Sequence, residues 1–418
     1  MCLSGRGGGP GPGARLNEER LCARRAPARG GRRGHSCLRV CACAERDPHT
    51  KLSMLQGVFA TLMLALHTPV RRRHVVGGAV SGALCASRPA RAENVLGSRV
   101  NELQTLGSRA QQSTAAEDVP EFWARRLQGQ PPPKPRVSIS NAPPFVILPG
   151  FGNDQMDYTT PLNLPAEVGL AGSLSRRGVK QVSVVPIVRS QWLNVARGLT
   201  DPKFVLGDAQ PNGPTYNWYL QAAKRTVEDA VAAAPPNSDG RVVLLGHSAG
   251  GWLARTLCVY LGDDWTKQNV RGIVTLGSPH ASPSSFTPGG TDQTRGLIPN
   301  VNRLAPGAFY ADRGIFYVTV SSKRVVGDAD GTAAERNGYT SYNLILGRAQ
   351  GVQGDGFVPI EAAFLDGAAQ VTMDCYHSGG SADPWPKDNW YGAEQNIDGW
   401  LGSVADALSK QAPPPSTQ

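Results

Sequence analysis

The stretch Arg241–Arg255, RVVLLGHSAGGWLAR, decides the fold. Val242 to Leu245 are apolar without alternation, the pattern of a strand buried on both faces. Gly246-His247-Ser248-Ala249-Gly250 follows, and a helical pattern begins at once. Strand, sharp turn and helix with a serine at the apex make a nucleophile elbow. The turn is tight enough that side chains flanking the serine would collide, so Gly246 and Gly250 have a steric reason to be there. The serine oxygen then stands at a helix N-terminus, where unpaired N–H groups and partial positive charge are available.

An activated serine needs a base, and the base needs an orienting acid. The chain has seven histidines, and four of them (His35, His49, His67, His74) fall in the first 92 residues. His247 adjoins the nucleophile and should point away from it. His377, in Asp374-Cys375-Tyr376-His377-Ser378, follows the last predicted strand and precedes the last predicted helix, so it is the expected base. His280, at the end of TLGSPH, is the runner-up. The acid should lie between serine and histidine in chain order. Asp355, in GDGFVP, is the expected acid. Asp328 and Asp330, in VVGDADG, follow a strand more closely and remain alternatives, although both also read as turn residues. An oxyanion hole needs two backbone N–H groups. Ala249 supplies one, and the glycine-rich loop Leu148–Asn153 should supply the other through Phe151.

Outward from the elbow, strands alternate with helices. Strands are expected at Phe145–Leu148, Val182–Val188, Gly272–Leu276, Ile315–Val320 and Val371–Met373. Helices are expected at Pro161–Arg177, Asn217–Ala234 and Ile397–Leu408. In Asn217–Ala234 the residues Leu220, Ala223, Val227 and Val231 share one face. The pattern implies an α/β domain with a mostly parallel central sheet covered by helices on both faces. His280–Asn302, rich in Pro, Ser, Gly and Thr, is a candidate lid. Trp192, Trp218, Tyr219, Phe286 and Phe309 are candidates to line an acyl pocket, with Trp192, Trp218 and Phe286 foremost.

The net charge of +10 is concentrated at the start of the chain. Residues 1–92 hold 15 Arg, 1 Lys and 4 acids, or +12, which leaves −2 for the rest. The remainder gives no reason to expect a nucleic-acid partner. The Arg-rich, acid-poor start resembles a transit peptide. Residues 53–70 are apolar enough for a marginal membrane span. Arg71-Arg72-Arg73, a short apolar run and Ala90-Arg91-Ala92 resemble a twin-arginine signal. The expected address is the chloroplast, in the stroma or in the thylakoid lumen or membrane. Residues 93–140 read as a polar extension, with a helical patch at Val119–Leu127 and a Pro-rich linker. A catalytic domain should occupy 141–410, and 411–418 a disordered tail. Six of eight cysteines lie in the leader, so no disulfide framework is expected. A Cys258–Cys375 bridge is the one pairing left to the catalytic domain.

PFVILPGFGN, GHSAGGWLAR, TLGSPH, GDGFVP and CYHS follow one another as in lipase-like α/β-hydrolases. DQTRGL at 292–297 and NWYG at 389–392 resemble a plant and algal plastid group of these enzymes. A looser resemblance runs to the catalytic domain of GPI inositol-deacylases, which usually carry several membrane spans after that domain. The resemblance spans about 141–405. It implies the α/β-hydrolase fold, serine-dependent ester cleavage, a triad at Ser248, Asp355 and His377, and an oxyanion hole at Phe151 and Ala249. No cofactor or metal is called for. The expected partner is a lipid or small ester substrate, with which peripheral membrane association is compatible. Thioester or amide hydrolysis, or ligand binding without catalysis, are the competing classes.

Overall fold

The computed structural model describes residues 134–161, 165–235, 238–283, 292–378 and 389–411. Expectations that fall on residues 1–133, including the targeting segments, the 53–70 span and the 119–127 helix, lie outside them. So do Phe286 and the tail from 412. The main strands are β1 (Phe145–Leu148), β2 (Val182–Val184), β3 (Val242–His247), β4 (Val270–Leu276) and β5 (Phe316–Ser322). A small antiparallel pair follows, β6 (Val325–Val326) and β7 (Gln353–Gly354), and then β8 (Ala369–Met373). The principal helices are α1 (Leu170–Ser175), α2 (Pro214–Ala232), α3 (Ala249–Asn269), α4 (Leu297–Leu304), α5 (Ala333–Leu346) and α6 (Glu394–Lys410).

Six strands form one parallel sheet in the order β2-β1-β3-β4-β5-β8. The period-2 geometry of a strand divides each one between two cores. Val146, Leu148, Val242 and Leu244 face one side, where Leu220, Ala223 and Val227 of α2, Leu253 and Leu257 of α3 and Val301 of α4 cover them. Phe145, Ile147, Val243 and Leu245 face the other, against Leu170 and Leu174 of α1 and Ile397, Trp400 and Leu401 of α6. Both faces are therefore dry, which is why the strands read as continuous apolar runs. Burying each Leu or Ile side chain contributes roughly 1.5–3 kcal/mol.

Helices α1 and α6 are also joined by a buried ionic cluster. Arg177 donates to Glu394 at 2.8 Å and to Asp398 at 2.6 Å. Ser173 donates to Glu394 at 2.6 Å, and Arg176 pairs with the same carboxylate. Burial raises the pKa of both carboxyls, but Ser173 and the arginines hold Glu394, and Arg177 and the backbone N–H groups of Arg136 and Val137 hold Asp398, below the ordinary carboxylate range.

Two expectations need correction. The helix expected over Pro161–Arg177 is a 3₁₀ turn at Ala166–Val168 and the six-residue α1, with Gly169 between them in extended conformation. The strand expected to reach Val188 pairs only over Val182–Val184, and Val188 is exposed. Cys258 and Cys375 are free buried thiols. They belong to the cores on opposite faces of the sheet, so no bridge can join them. The candidate lid is described only in part, and its end is not loop: Leu297, Ile298 and Val301 of α4 are core residues. Arg255 of α3 ties that helix down, donating to Asn302 at 2.9 Å and to the Ala305 carbonyl at 2.7 Å.

Chain order reverses between β1 and β3. From β1 the chain goes to one edge of the sheet, and from β3 it runs through β4 and β5 to the other. At such a reversal an open α/β sheet usually has its ligand crevice, outside the C-terminal ends of the two neighbouring strands.

Candidate active site

The elbow occupies one side of that crevice. Ser248 has φ 52° and ψ −124°, a backbone conformation that L residues other than glycine rarely adopt. Its N–H donates to the Leu276 carbonyl at 2.9 Å, which fixes the apex to β4. The glycine requirement is severe at Gly250, where an added Cβ would lie 2.0 Å from the Leu148 carbonyl oxygen. That close approach seats the end of β1 directly on the elbow.

The loop after β1 occupies the other side. A Cβ on Gly150 would sit 2.8 Å from Ser248 Cβ, so the loop passes over the nucleophile. Its polar groups are individually held. The Pro149 carbonyl accepts from Tyr219 Oη at 2.8 Å, and the Gly150 N–H donates to Tyr158 Oη at 3.0 Å. The Gly150 carbonyl accepts from the Asn153 N–H at 3.0 Å. Trp192 Nε1 donates to the Asn153 carbonyl at 2.8 Å. Among the described residues, the Phe151 and Ala249 N–H groups have no acceptor. They are the two donors that the sequence predicts for an oxyanion hole.

His377 closes the site from the loop after β8. Its Nε2 lies 2.9 Å from Ser248 Oγ and its Nδ1 lies 2.8 Å from Asp355 Oδ2. Asp355 is fully buried, directly after β7. Oδ1 accepts from the N–H groups of Phe357 at 2.9 Å and Val358 at 2.7 Å. Oδ2 accepts from His377 and from Tyr391 Oη, the latter at 2.9 Å. Burial pushes the carboxyl pKa up, but the charge and hydrogen bond of His377 and the two backbone donors prevail, and the group sits below its ordinary value. An ionised Asp355 requires the proton of His377 on Nδ1. Nε2 is then bare and can accept the serine proton. Gly277 makes room for this pair, since a Cβ there would be 2.6 Å from Asp355 Oδ2 and 3.1 Å from His377 Nδ1.

The alternatives lie elsewhere. Asp328 accepts from the Asp330 N–H and from Gln350, at the turn before α5. His280 is buried, with Nε2 3.2 Å from Thr275 Oγ1 and its N–H on the Ala362 carbonyl. Trp192 and Trp218 stack edge to face at 5.4 Å, and Trp192 packs on Phe151 at 4.9 Å, so both back the oxyanion loop. Phe309 packs on Tyr310, beneath Arg313. Among the described residues, no group of three or more His, Cys, Asp or Glu side chains could hold a metal ion.

Over residues 216–294 the chain matches the model of the PGAP1-like alpha/beta domain, a match that runs from α2 through the elbow to β4 and beyond. The parallel strand order and the strand–serine–helix elbow are those of the α/β-hydrolase fold. No curated protein matches it. Among solved structures, the chain is similar to the lipase BlEst2 of Bacillus licheniformis in propeptide form. The two are 12% identical with a TM-score of 0.37, over 69% of this chain and 54% of that one. It is also similar to the metagenomic carboxyl esterase MGS0156, at 14% identity and a TM-score of 0.39, over 66% of this chain and 79% of that one.

Three side chains at the candidate site escape sequence reasoning. Tyr391, inside NWYG, supplies the fourth donor to Asp355. Tyr158 holds the Gly150 N–H of the loop after β1. His247 does point away from Ser248, as expected, but it meets the main chain of His377: its Nε2 lies 2.8 Å from that carbonyl. Only the NWYG resemblance gave a signal, and only for Tyr391.

Proposed function

We propose that the chain is a serine-dependent acyl hydrolase that cleaves carboxylic esters, with a lipid ester as the favoured substrate. The observation that carries the reading is the continuous contact from Ser248 Oγ through His377 to a buried, four-donor Asp355. In the first step Ser248 Oγ attacks the ester carbonyl carbon while His377 Nε2 takes the serine proton. The carbonyl oxygen gathers negative charge beside the Phe151 and Ala249 N–H groups. His377 then protonates the leaving alkoxide, and an acyl ester remains on Ser248. Water, deprotonated by His377, attacks that ester and releases the carboxylic acid, and the proton returns to Ser248. Asp355 keeps the Nδ1 proton in place and stabilises the imidazolium formed in each half-reaction.

The preference for a lipid draws on the lipase-like order of the sequence motifs, and that for the chloroplast on the Arg-rich leader. The test is hydrolysis of p-nitrophenyl esters of graded chain length, with galactolipids and acylglycerols alongside. Ester turnover by the wild-type chain should fall by roughly 10⁴-fold or more in Ser248→Ala. Turnover retained in the purified variant sinks the assignment. Cleavage of thioesters or peptides with no ester cleaved moves the chain to a different hydrolase class.

A further inference from the structure

Two buried polar side chains beside the site, Tyr158 and His247, take no part in the proton transfers of the proposed reaction. Both are sealed from solvent, at 0% and 1% exposure. Four groups form one directional chain. The Gly150 N–H donates to Tyr158 Oη at 3.0 Å. Tyr158 Oη lies 2.8 Å from His247 Nδ1, and His247 Nε2 lies 2.8 Å from the His377 carbonyl oxygen. The partners dictate the direction. A carbonyl can only accept, so His247 carries its proton on Nε2. Its Nδ1 is then bare and accepts from the tyrosine hydroxyl, whose oxygen is free to accept from Gly150. Burial and the nearby His377 push the pKa of His247 down to about 3, so the ring stays neutral and the direction holds at working pH.

We propose that Tyr158 and His247 are positioning residues, forming a strut that fixes the oxyanion loop relative to the catalytic base. The inference rests on the acyl-hydrolase reading. The two ends of the strut are the two parts of the site that no neighbouring strand pair holds together. The oxyanion loop follows β1, while His377 follows β8 at the far edge of the sheet. The links span 8, 89 and 130 residues of sequence. At the base, the His377 N–H is already tied to the Asp355 carbonyl at 3.1 Å, so the His247 contact fixes the other end of the same residue. Trp390 packs edge-on against both strut side chains, at 6.1 Å from Tyr158 and 5.3 Å from His247. A fully satisfied buried network of this kind is rigid, and half of one is not. Acylation needs the base and the oxyanion donors in register at the same moment, and a misplacement of about 1 Å costs on the order of 10²-fold in rate.

The test uses the full chain and a fluorophosphonate probe, whose reaction with Ser248 needs no knowledge of the substrate. Second-order labelling rates are measured per folded molecule for wild type, Tyr158→Phe, His247→Gln and His247→Ala, with thermal melts alongside. With a p-nitrophenyl ester, kcat and KM are measured on the same samples. Tyr158→Phe keeps the ring and removes the hydroxyl. It should label and turn over on the order of 10- to 100-fold more slowly, with KM changed by less than about twofold. His247→Gln can still offer an N–H to the His377 carbonyl, and it should exceed His247→Ala severalfold in both rates. A purely structural role would lower the melting temperature and leave the rate per folded molecule unchanged; that result in Tyr158→Phe overturns the strut. If Tyr158→Phe does not fold, equal rates for the two His247 variants overturn it. A folded wild-type chain that fails to label overturns the acyl-hydrolase reading itself.

Discussion

Residues 242–255 and residues 353–377 supply the two halves of the site, and they are held by different physics. The elbow is local. Its apolar strand, its strained serine and its glycines are contiguous, and the restraint comes from backbone packed on backbone. Gly250 lies against Leu148, and Gly246 lies against Gly251, whose Cα a Cβ on Gly246 would meet at 2.4 Å. The acid–base arm is assembled from a distance. Asp355 depends on β7 and the turn behind it, His377 on β8, and Tyr391 on the approach to α6. Its restraint comes from hydrogen bonds between side chains far apart in sequence. The elbow should therefore fail by clashing and unfolding, whereas the arm should fail by losing chemistry in a chain that still folds.

The largest effect should come from the arm. Asp355→Asn presents an amide to a ring nitrogen that must keep its proton. Ester turnover should drop by roughly 10³- to 10⁴-fold, with a circular dichroism spectrum like that of wild type. Asp328→Asn, measured beside it, should stay within about twofold. The reverse ranking would transfer the acid role to the turn before α5.

Gly250→Ala attacks the elbow. No flexible side chain can yield there, so the Leu148 carbonyl has to move. The cost should be about 3 kcal/mol, read as a lower urea midpoint. Unchanged stability with reduced turnover would contradict the distinction between the two halves. Tyr391→Phe removes one of four donors from Asp355 and leaves the fold its ring. It should lower kcat/KM by about tenfold with little change in melting temperature.

The smallest effect is on pH dependence. Asp355, Glu394 and Asp398 all have folded pKa values held below their ordinary ones. A depressed carboxylate contributes stability that is present above its unfolded pKa and is lost as pH falls through the folded one. The melting temperature should be level from neutral pH to about 5 and fall below about 4. Asp355→Asn should flatten part of that descent. A fall that begins near pH 6 would point to a different titrating group.

The same contrast explains what could be read from the sequence. The elbow was legible because one strand, one turn and one helix announce it in fifteen consecutive letters, Arg241 to Arg255. His377 and Asp355, as candidates, were reachable by elimination and chain order, since only three of the seven histidines lie after residue 92. The strands were legible wherever both faces are buried, and β1 begins and ends where its apolar run does. Segments whose limits depend on partners were not. Ile187 is as apolar as Val182 and Val184, but the last bond to β1 is that of the Val185 N–H to the Ile147 carbonyl, and the Ile187 N–H turns back to the Val185 carbonyl. Tyr158 and His247 were invisible because their partners lie 89 and 130 residues away, and a lone tyrosine or histidine carries no mark of what it will meet.

The central claim is that Ser248 is a nucleophile activated by His377. Mass spectrometry of the full chain after fluorophosphonate treatment tests it most directly. The account predicts one adduct per wild-type molecule, on the peptide that contains Ser248, and none in Ser248→Ala. A folded wild-type chain without the adduct, or an adduct that persists in Ser248→Ala, would contradict it.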